Sequence, residues 1–281
     1  MRERAGSSAP GGCLPEARRQ PQGREQRERA PFLEVRSLSV HFGGISALTD
    51  VSLVVGEGES VGVVGPNGAG KTTLFNSVCG QITTYEGRIL CEGRSIDKMP
   101  VHRRARLGIA RTFQRIEVFS EMTVREHVLV AERARRGGGA LWKDLLNLGS
   151  PSRDELERAE RVLELVELEE MADVPVAALS LGHCRLVELG RALALEPRLL
   201  MADEPSSGLD TRETVSLAAL LRRVQHERGT AILLVEHDLD MVARVVDRVV
   251  VLDFGHQIAA GPLDQVIADP VVRRAYLGKT A

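Results

Sequence analysis

Aromatic residues are scarce in this sequence: 3% of 281 residues, with one tryptophan, two tyrosines and six phenylalanines. A core must therefore be built from aliphatic side chains, and any ring-stacking platform rests on very few positions. Cysteine is equally thin. Cys13, Cys79, Cys91 and Cys184 are scattered and form no C-x-x-C pair, which argues against a disulfide framework or a zinc site and for free thiols in a reducing cytoplasm. No apolar run approaches the ~20 residues that span a bilayer, and the N-terminus lacks the apolar core of a secretion signal. Charge of one sign is missing too. The 37 basic and 39 acidic residues leave a formal net charge of −2, which gives no footprint for nucleic acid or an anionic membrane surface. The hydrophobic fraction of 43% is ordinary, enough for one large domain or a domain with an inserted subdomain.

Residues 1–30 are rich in Arg, Gln, Gly and Pro with almost no apolar periodicity, and a disordered extension over 1–31 is expected. Alternation from Phe32 to Phe42, closed by Gly43-Gly44, predicts a strand; Ala47 to Val55 and Gly87 to Cys91 complete a small antiparallel sheet. Ile109 to Gln114 reads as a further strand. It leads into a helix-rich tract from Thr123 to Leu168, interrupted at Gly137-Gly-Gly139 and Gly149-Ser-Pro151. Between the breaks lies a short amphipathic piece, Leu141 to Leu148, whose Trp142 is expected to pack on helical neighbours, docking on a membrane partner being the alternative. Arg198–Asp203, Thr230–Glu236 and Arg248–Asp253 are nearly continuous apolar runs separated by helical patterns. Such runs are what parallel strands covered on both faces look like.

The most specific signal is Gly65-Pro66-Asn67-Gly68-Ala69-Gly70-Lys71-Thr72-Thr73, which satisfies G-x-x-x-x-G-K-[ST]. An apolar strand, Glu59 to Gly65, precedes it, and a helix from Lys71 to Cys79 ended by Gly80 follows. That context turns successive backbone N–H groups and a helix start toward one phosphate group. Lys71 would neutralise β- and γ-phosphates, and the Thr72 hydroxyl would hold Mg²⁺. At average residue frequencies the pattern arises by chance in roughly one such chain in a hundred, so a bound nucleoside triphosphate is expected. Leu199-Leu-Met-Ala-Asp203-Glu204-Pro205 is an apolar strand ending in two carboxylates. Lying next to the phosphate loop, it would bring Asp203 to the Mg²⁺ and Glu204 to a water poised for attack on the γ-phosphate.

The loop at Gly65–Thr73, Gln114 after a strand, Leu179-Ser180-Leu181-Gly182-His183, Asp203-Glu204 and His237 occur in the order seen in ATP-binding-cassette (ABC) ATPases, and the chain resembles that family from about Phe32 to Ala268. The resemblance implies an α/β P-loop NTPase cassette over 32–268. It would comprise a RecA-like core with a parallel sheet, an antiparallel β subdomain and an inserted helical subdomain near 115–195, with 269–281 as a C-terminal tail. Carried over by position, Phe42 resembles the aromatic that stacks on adenine, a core phenylalanine being the alternative. Gln114 resembles the residue that binds Mg²⁺ and couples the site to a membrane subunit. Asp210, in Ser207-Gly208-Leu209-Asp210, falls in the loop that crosses a dimer interface, and His237 resembles the histidine that contacts the γ-phosphate. Ser180 and Gly182 match the signature that meets the ATP of an opposite subunit. Leu181 and His183 depart from the usual Leu-Ser-Gly-Gly-Gln, and the second departure implies two unequal ATP sites.

Arg111-Thr-Phe-Gln114, Phe119-Ser-Glu-Met-Thr-Val124, Val235-Glu-His-Asp238 and the tail Asp269 to Gly278 are similar to the branched-chain amino-acid importer branch, the LivG type. That likeness implies an ATP- and Mg²⁺-dependent ATPase on the cytoplasmic face of the plasma membrane. Its implied partners are a homologous second ATPase subunit, two transmembrane permease subunits and, indirectly, a solute-binding protein, with no nucleic acid. The alternatives are another cargo (urea, amides, lipopolysaccharide), a soluble ABC ATPase of translation or DNA repair, and a regulatory cassette that binds ATP without hydrolysing it.

Overall fold

A computed structural model describes residues 31–83, 85–112, 119–135 and 151–277. The expected N-terminal extension, Gln114 and the piece carrying Trp142 lie outside the described residues. In chain order the strands are β1 (Pro31–Phe42), β2 (Ile45–Gly56), β3 (Ser60–Val64), β4 (Glu86–Cys91), β5 (Arg94–Ser95), β6 (Ile109–Arg111), β7 (Leu199–Asp203), β8 (Ala231–Val235), β9 (Arg248–Asp253) and β10 (His256–Gly261). The helices are α1 (Lys71–Cys79), α2 (Val101–Arg106), α3 (Val124–Arg135), α4 (Arg153–Leu165), α5 (Leu181–Ala194), α6 (Thr211–Arg228), α7 (Leu239–Val245), α8 (Leu263–Ala268) and α9 (Pro270–Leu277).

Four strands in the order β2-β1-β4-β5 make an antiparallel sheet, and six in the order β10-β9-β3-β8-β7-β6 make a second sheet. In the second sheet β9, β3, β8, β7 and β6 run parallel, and only the edge strand β10 is antiparallel. The side-chain period of two divides this sheet between two cores. Leu200, Ala202, Ile232, Leu234, Val249 and Val251 face the helices α3 to α7. Leu199, Met201, Leu233, Val235, Val250 and Leu252 face α1 and the antiparallel sheet. Burial on both faces is why these strands read as unbroken apolar runs in the sequence.

The phosphate-loop helix α1 is secured at its far end. Gly80 takes a left-handed conformation as C-cap. Arg104, 1% exposed, donates from Nη1 to the carbonyls of Ser77 and Val78 at 2.7 and 2.8 Å. A cation at a helix C-terminus satisfies orphan carbonyls and opposes the dipole. α5 begins at Leu181, where the Ser180 hydroxyl caps it. Two boundaries differ from the sequence expectation. β1 starts at Pro31 rather than Phe32. The strand predicted through Gln114 is described only to Arg111. Strands β5 and β10 were not expected, since two residues carry no period and an edge strand of mixed burial carries no apolar run. Among the described residues no helix is long and apolar enough to cross a membrane.

Candidate functional site

The loop Gly65–Thr73 joins the end of β3 to the start of α1, as the motif requires. Two glycines in it are sterically obligatory. Gly65 has φ 150°, and a Cβ there would be driven into the carbonyl oxygen of Leu252. Gly70, the left-handed N-cap of α1 at φ 100°, would place a Cβ 2.6 Å from the Ala47 carbonyl. Lys71 is 6% exposed and folds back over the loop, donating from Nζ to the carbonyls of Gly65 at 2.7 Å and Pro66 at 3.1 Å. Its ammonium thus lies inside the loop. Asn67, Gly68 and Thr72 are exposed.

β7 does not lie next to the loop strand, contrary to the sequence expectation: β8 runs between β3 and β7. Chain order carries no information about strand order, so the adjacency was not legible. All three strands are parallel, and their carboxyl ends still open on one crevice, the usual ligand position in such sheets. Asp203, 2% exposed, ends β7 and accepts from Arg111 Nη2 at 2.7 Å. Glu204 follows it at φ 47°, outside the conformations a non-glycine residue normally takes. The strain is held by its N–H donating to the Val235 carbonyl at 2.9 Å, while its own carbonyl accepts from Ser207 N–H at 3.1 Å. Beyond β8 comes Glu236, wholly buried, which accepts from the Ser206 N–H at 2.9 Å, the Ser206 hydroxyl at 2.6 Å and the His237 N–H at 3.2 Å. His237 itself projects outward, its side chain 62% exposed and its Nδ1 3.9 Å from the Glu236 carboxylate.

A second group forms at two helix starts. Ser180 caps α5, accepting from the His183 N–H at 3.3 Å, and its hydroxyl also meets His183 Nδ1 at 3.0 Å. Asp210 caps α6 in a reciprocal box with Glu213, at 2.8 and 3.0 Å. The groups touch: a Cβ on Gly182 would strike the Glu213 carboxylate, and one on Gly208 would stand 2.7 Å from Leu181 Cδ2. Asp210 is thus a helix cap in this chain, whatever else it contacts. Phe42 ends β1 with 52% of its surface exposed, so it is not a core ring. Lys71, Asp203, Glu204 and His237 therefore share the crevice end of one sheet, and Ser180, Gly182 and Asp210 share the second group. Gln114 lies outside the described residues.

Sequence reasoning assigned no role to Arg111 or Glu236. Each had a faint signal, a charge at the end of a short apolar strand. A Mg²⁺ arriving on a nucleotide keeps waters and phosphate oxygens and needs only one or two protein oxygens. The buried Asp203 carboxylate and the exposed Thr72 hydroxyl would be oxygens of that kind. Among the described residues no group of three or more His, Cys, Asp or Glu is poised to hold a metal unaided.

The sequence pattern described as ABC transporter matches residues 48–207. The chain is 39% identical over 252 residues to the high-affinity branched-chain amino acid transport ATP-binding protein BraF of Pseudomonas aeruginosa, covering 89% of this chain and 98% of that one. It is 38% identical, with the same coverage, to LivG of Escherichia coli, which bears the same description. A crystal structure of an ATP-binding cassette of an ABC transporter in its ADP conformation superposes with a TM-score of 0.79 at 32% identity, covering 88% of this chain and 99% of that one. A nucleotide-free cassette superposes with a TM-score of 0.76 at 31% identity, covering 88% and 98%.

Proposed function

The chain belongs to the ABC transporter ATP-binding family, and from that premise we propose that it is the ATP-hydrolysing subunit of an importer for branched-chain or related amino acids. The observation that carries the chemistry is the convergence of the phosphate loop, Asp203-Glu204 and His237 at the carboxyl ends of three parallel strands. Cargo and assembly are supported by the relatives' descriptions.

Each residue then has a defined task. The loop N–H groups and the α1 N-terminus bind the phosphates. Lys71 exchanges the Gly65 and Pro66 carbonyls for phosphate oxygens. Phe42 offers an exposed ring to adenine. Thr72, Asp203 and Gln114 would hold Mg²⁺, which when bound neutralises charge on the β- and γ-phosphates. Glu204 orients the attacking water and takes its proton, and His237 contacts the γ-phosphate. Ser180 and Gly182 at the α5 N-terminus, with Asp210 beside them, face the ATP of a homologous second ATPase, so that hydrolysis reopens a closed pair. Two permease subunits receive the motion on the cytoplasmic face of the membrane, and a solute-binding protein delivers cargo outside.

The deciding experiment reconstitutes this chain with its second ATPase and permeases in proteoliposomes. ATP-driven uptake of leucine, abolished by Glu204→Gln with ATP binding retained, is expected. Uptake of urea or an amide instead would change the cargo alone. An assembled complex without Mg²⁺-dependent hydrolysis would overturn the assignment.

A further inference from the structure

Arg111, at the end of β6, makes more contacts at the crevice than any role above requires. Its Nη2 donates to Asp203 Oδ2 at 2.7 Å, and its Nη1 donates to Asn76 Oδ1 at 2.6 Å and Gln81 Oε1 at 3.0 Å. The guanidinium carbon also stands 5.9 Å from the centroid of the Phe75 ring. The ion pair is shielded, with side-chain exposures of 11% for Arg111 and 2% for Asp203. Water screens such a pair weakly, so the guanidinium largely cancels the field of the Asp203 carboxylate at the end of β7.

We propose that Arg111 is an internal counter-ion that competes with the nucleotide's Mg²⁺ for Asp203 and thereby sets how much metal the site requires. The proposal rests on Asp203 being a metal residue. A divalent cation approaching a carboxylate already paired with a guanidinium meets a neutral pair rather than a negative charge. It gains the full attraction only as Arg111 gives way. Asn76 and Gln81 make that release feasible. Both are neutral amide acceptors on or just after α1, and they keep the guanidinium hydrogen-bonded when it parts from Asp203, so no buried charge is stranded. The same two contacts tie the end of β7 to the phosphate-loop helix until the metal arrives. Arg111 is thus a positioning residue acting through Asp203. A lysine, with one point charge and no fork, would not hold all three acceptors at once.

The test measures Mn²⁺ binding to the purified full chain at saturating ATP, reading free Mn²⁺ by electron paramagnetic resonance, and ATP affinity in EDTA as a second readout. Arg111→Gln is expected to tighten Mn²⁺ binding by about tenfold, the scale of one hydrogen bond to a charged group. Arg111→Lys should tighten it less, roughly threefold. ATP affinity without metal should stay within about twofold. A purely structural strut would instead weaken ATP binding with and without metal alike. Unchanged or weaker Mn²⁺ binding in folded Arg111→Gln, or in Arg111→Lys should the first variant not fold, overturns the inference. If wild-type protein binds ATP with no dependence on Mn²⁺, the metal role of Asp203 falls and the inference with it. If wild type shows that dependence and the variants do not tighten, the inference alone falls.

Discussion

Glu236 is the residue whose removal should do most harm for least apparent cause. It touches neither the phosphate loop nor Asp203 in any contact described above, yet it is wholly buried and accepts three hydrogen bonds, from Ser206 N–H, Ser206 Oγ and His237 N–H. Ser206 is two residues beyond Glu204, whose backbone is held at φ 47°, so the carboxylate braces a strained turn on one side and the His237 loop on the other. In Glu236→Ala the hydroxyl can turn elsewhere, but two backbone N–H groups lose their acceptor in a dry site. At about 1–3 kcal/mol for each stranded donor, less the relief of no longer burying a carboxylate, a net loss of about 2–4 kcal/mol follows. That is a large share of a stability of about 5–15 kcal/mol. Glu236→Gln keeps an oxygen for Ser206 but turns an NH₂ toward the His237 N–H, donor against donor, so about 1–2 kcal/mol should go. Urea unfolding gives the stability of both variants. ATP turnover and ATP affinity in the assembled complex give the catalytic consequence, where turnover should fall severalfold more than affinity. The brace argument is refuted if both variants unfold within about 0.5 kcal/mol of wild type and turn over ATP normally.

Three further outcomes are expected. Gly65→Ala should lose nucleotide binding together with about 2 kcal/mol or more of stability, since the obstacle to a Cβ is the Leu252 backbone carbonyl, which cannot swing aside; ATP titration and thermal melting check it. His127, 1% exposed, accepts from Phe119 N–H at 3.0 Å and meets the Thr123 carbonyl through Nδ1 at 2.9 Å, and burial first, then Arg191, depress its pKa below 6.5 against the opposing pull of Thr123 and Glu126. A depressed histidine contributes stability that is complete above pH 6.5 and lost as pH falls through the folded value, so wild type should melt progressively earlier below pH 6.5 and His127→Gln should show a flatter acid limb. His183→Gln frees the Ser180 hydroxyl from the imidazole and should raise turnover at the site built on this chain's signature; comparing Glu204→Gln with the matching change in the partner ATPase, in single-turnover assays, would show equal losses if the two sites were equivalent all along.

Why some of this was legible in the sequence and some was not follows from where each constraint acts. The loop Gly65–Thr73 announces itself because its requirements are backbone requirements: Gly65 and Gly70 sit where a Cβ would meet a carbonyl oxygen, and nothing else fits. Strands β7, β8 and β9 were equally plain, because burial on both faces leaves a continuous apolar run too short for a helix. β10 gave no such run, since one of its edges has no partner strand and its burial is mixed. Arg111 and Glu236 could not be found this way. Their partners are 92 and 30 positions away in sequence, and a charge at the end of a strand is ordinary until the fold supplies what it pairs with. Strand order was the deepest omission. With β8 between β3 and β7, the phosphate loop and Asp203 are separated by one strand's width, roughly 4.8 Å on either side. Whatever follows β8 therefore emerges between the phosphate-binding and acidic halves of the site. Glu236 and His237 are those residues. One turns inward to brace the turn after Glu204, and the other projects outward with its side chain exposed, so a single strand end both fixes the acidic half and carries the histidine that the proposed function sets against the γ-phosphate.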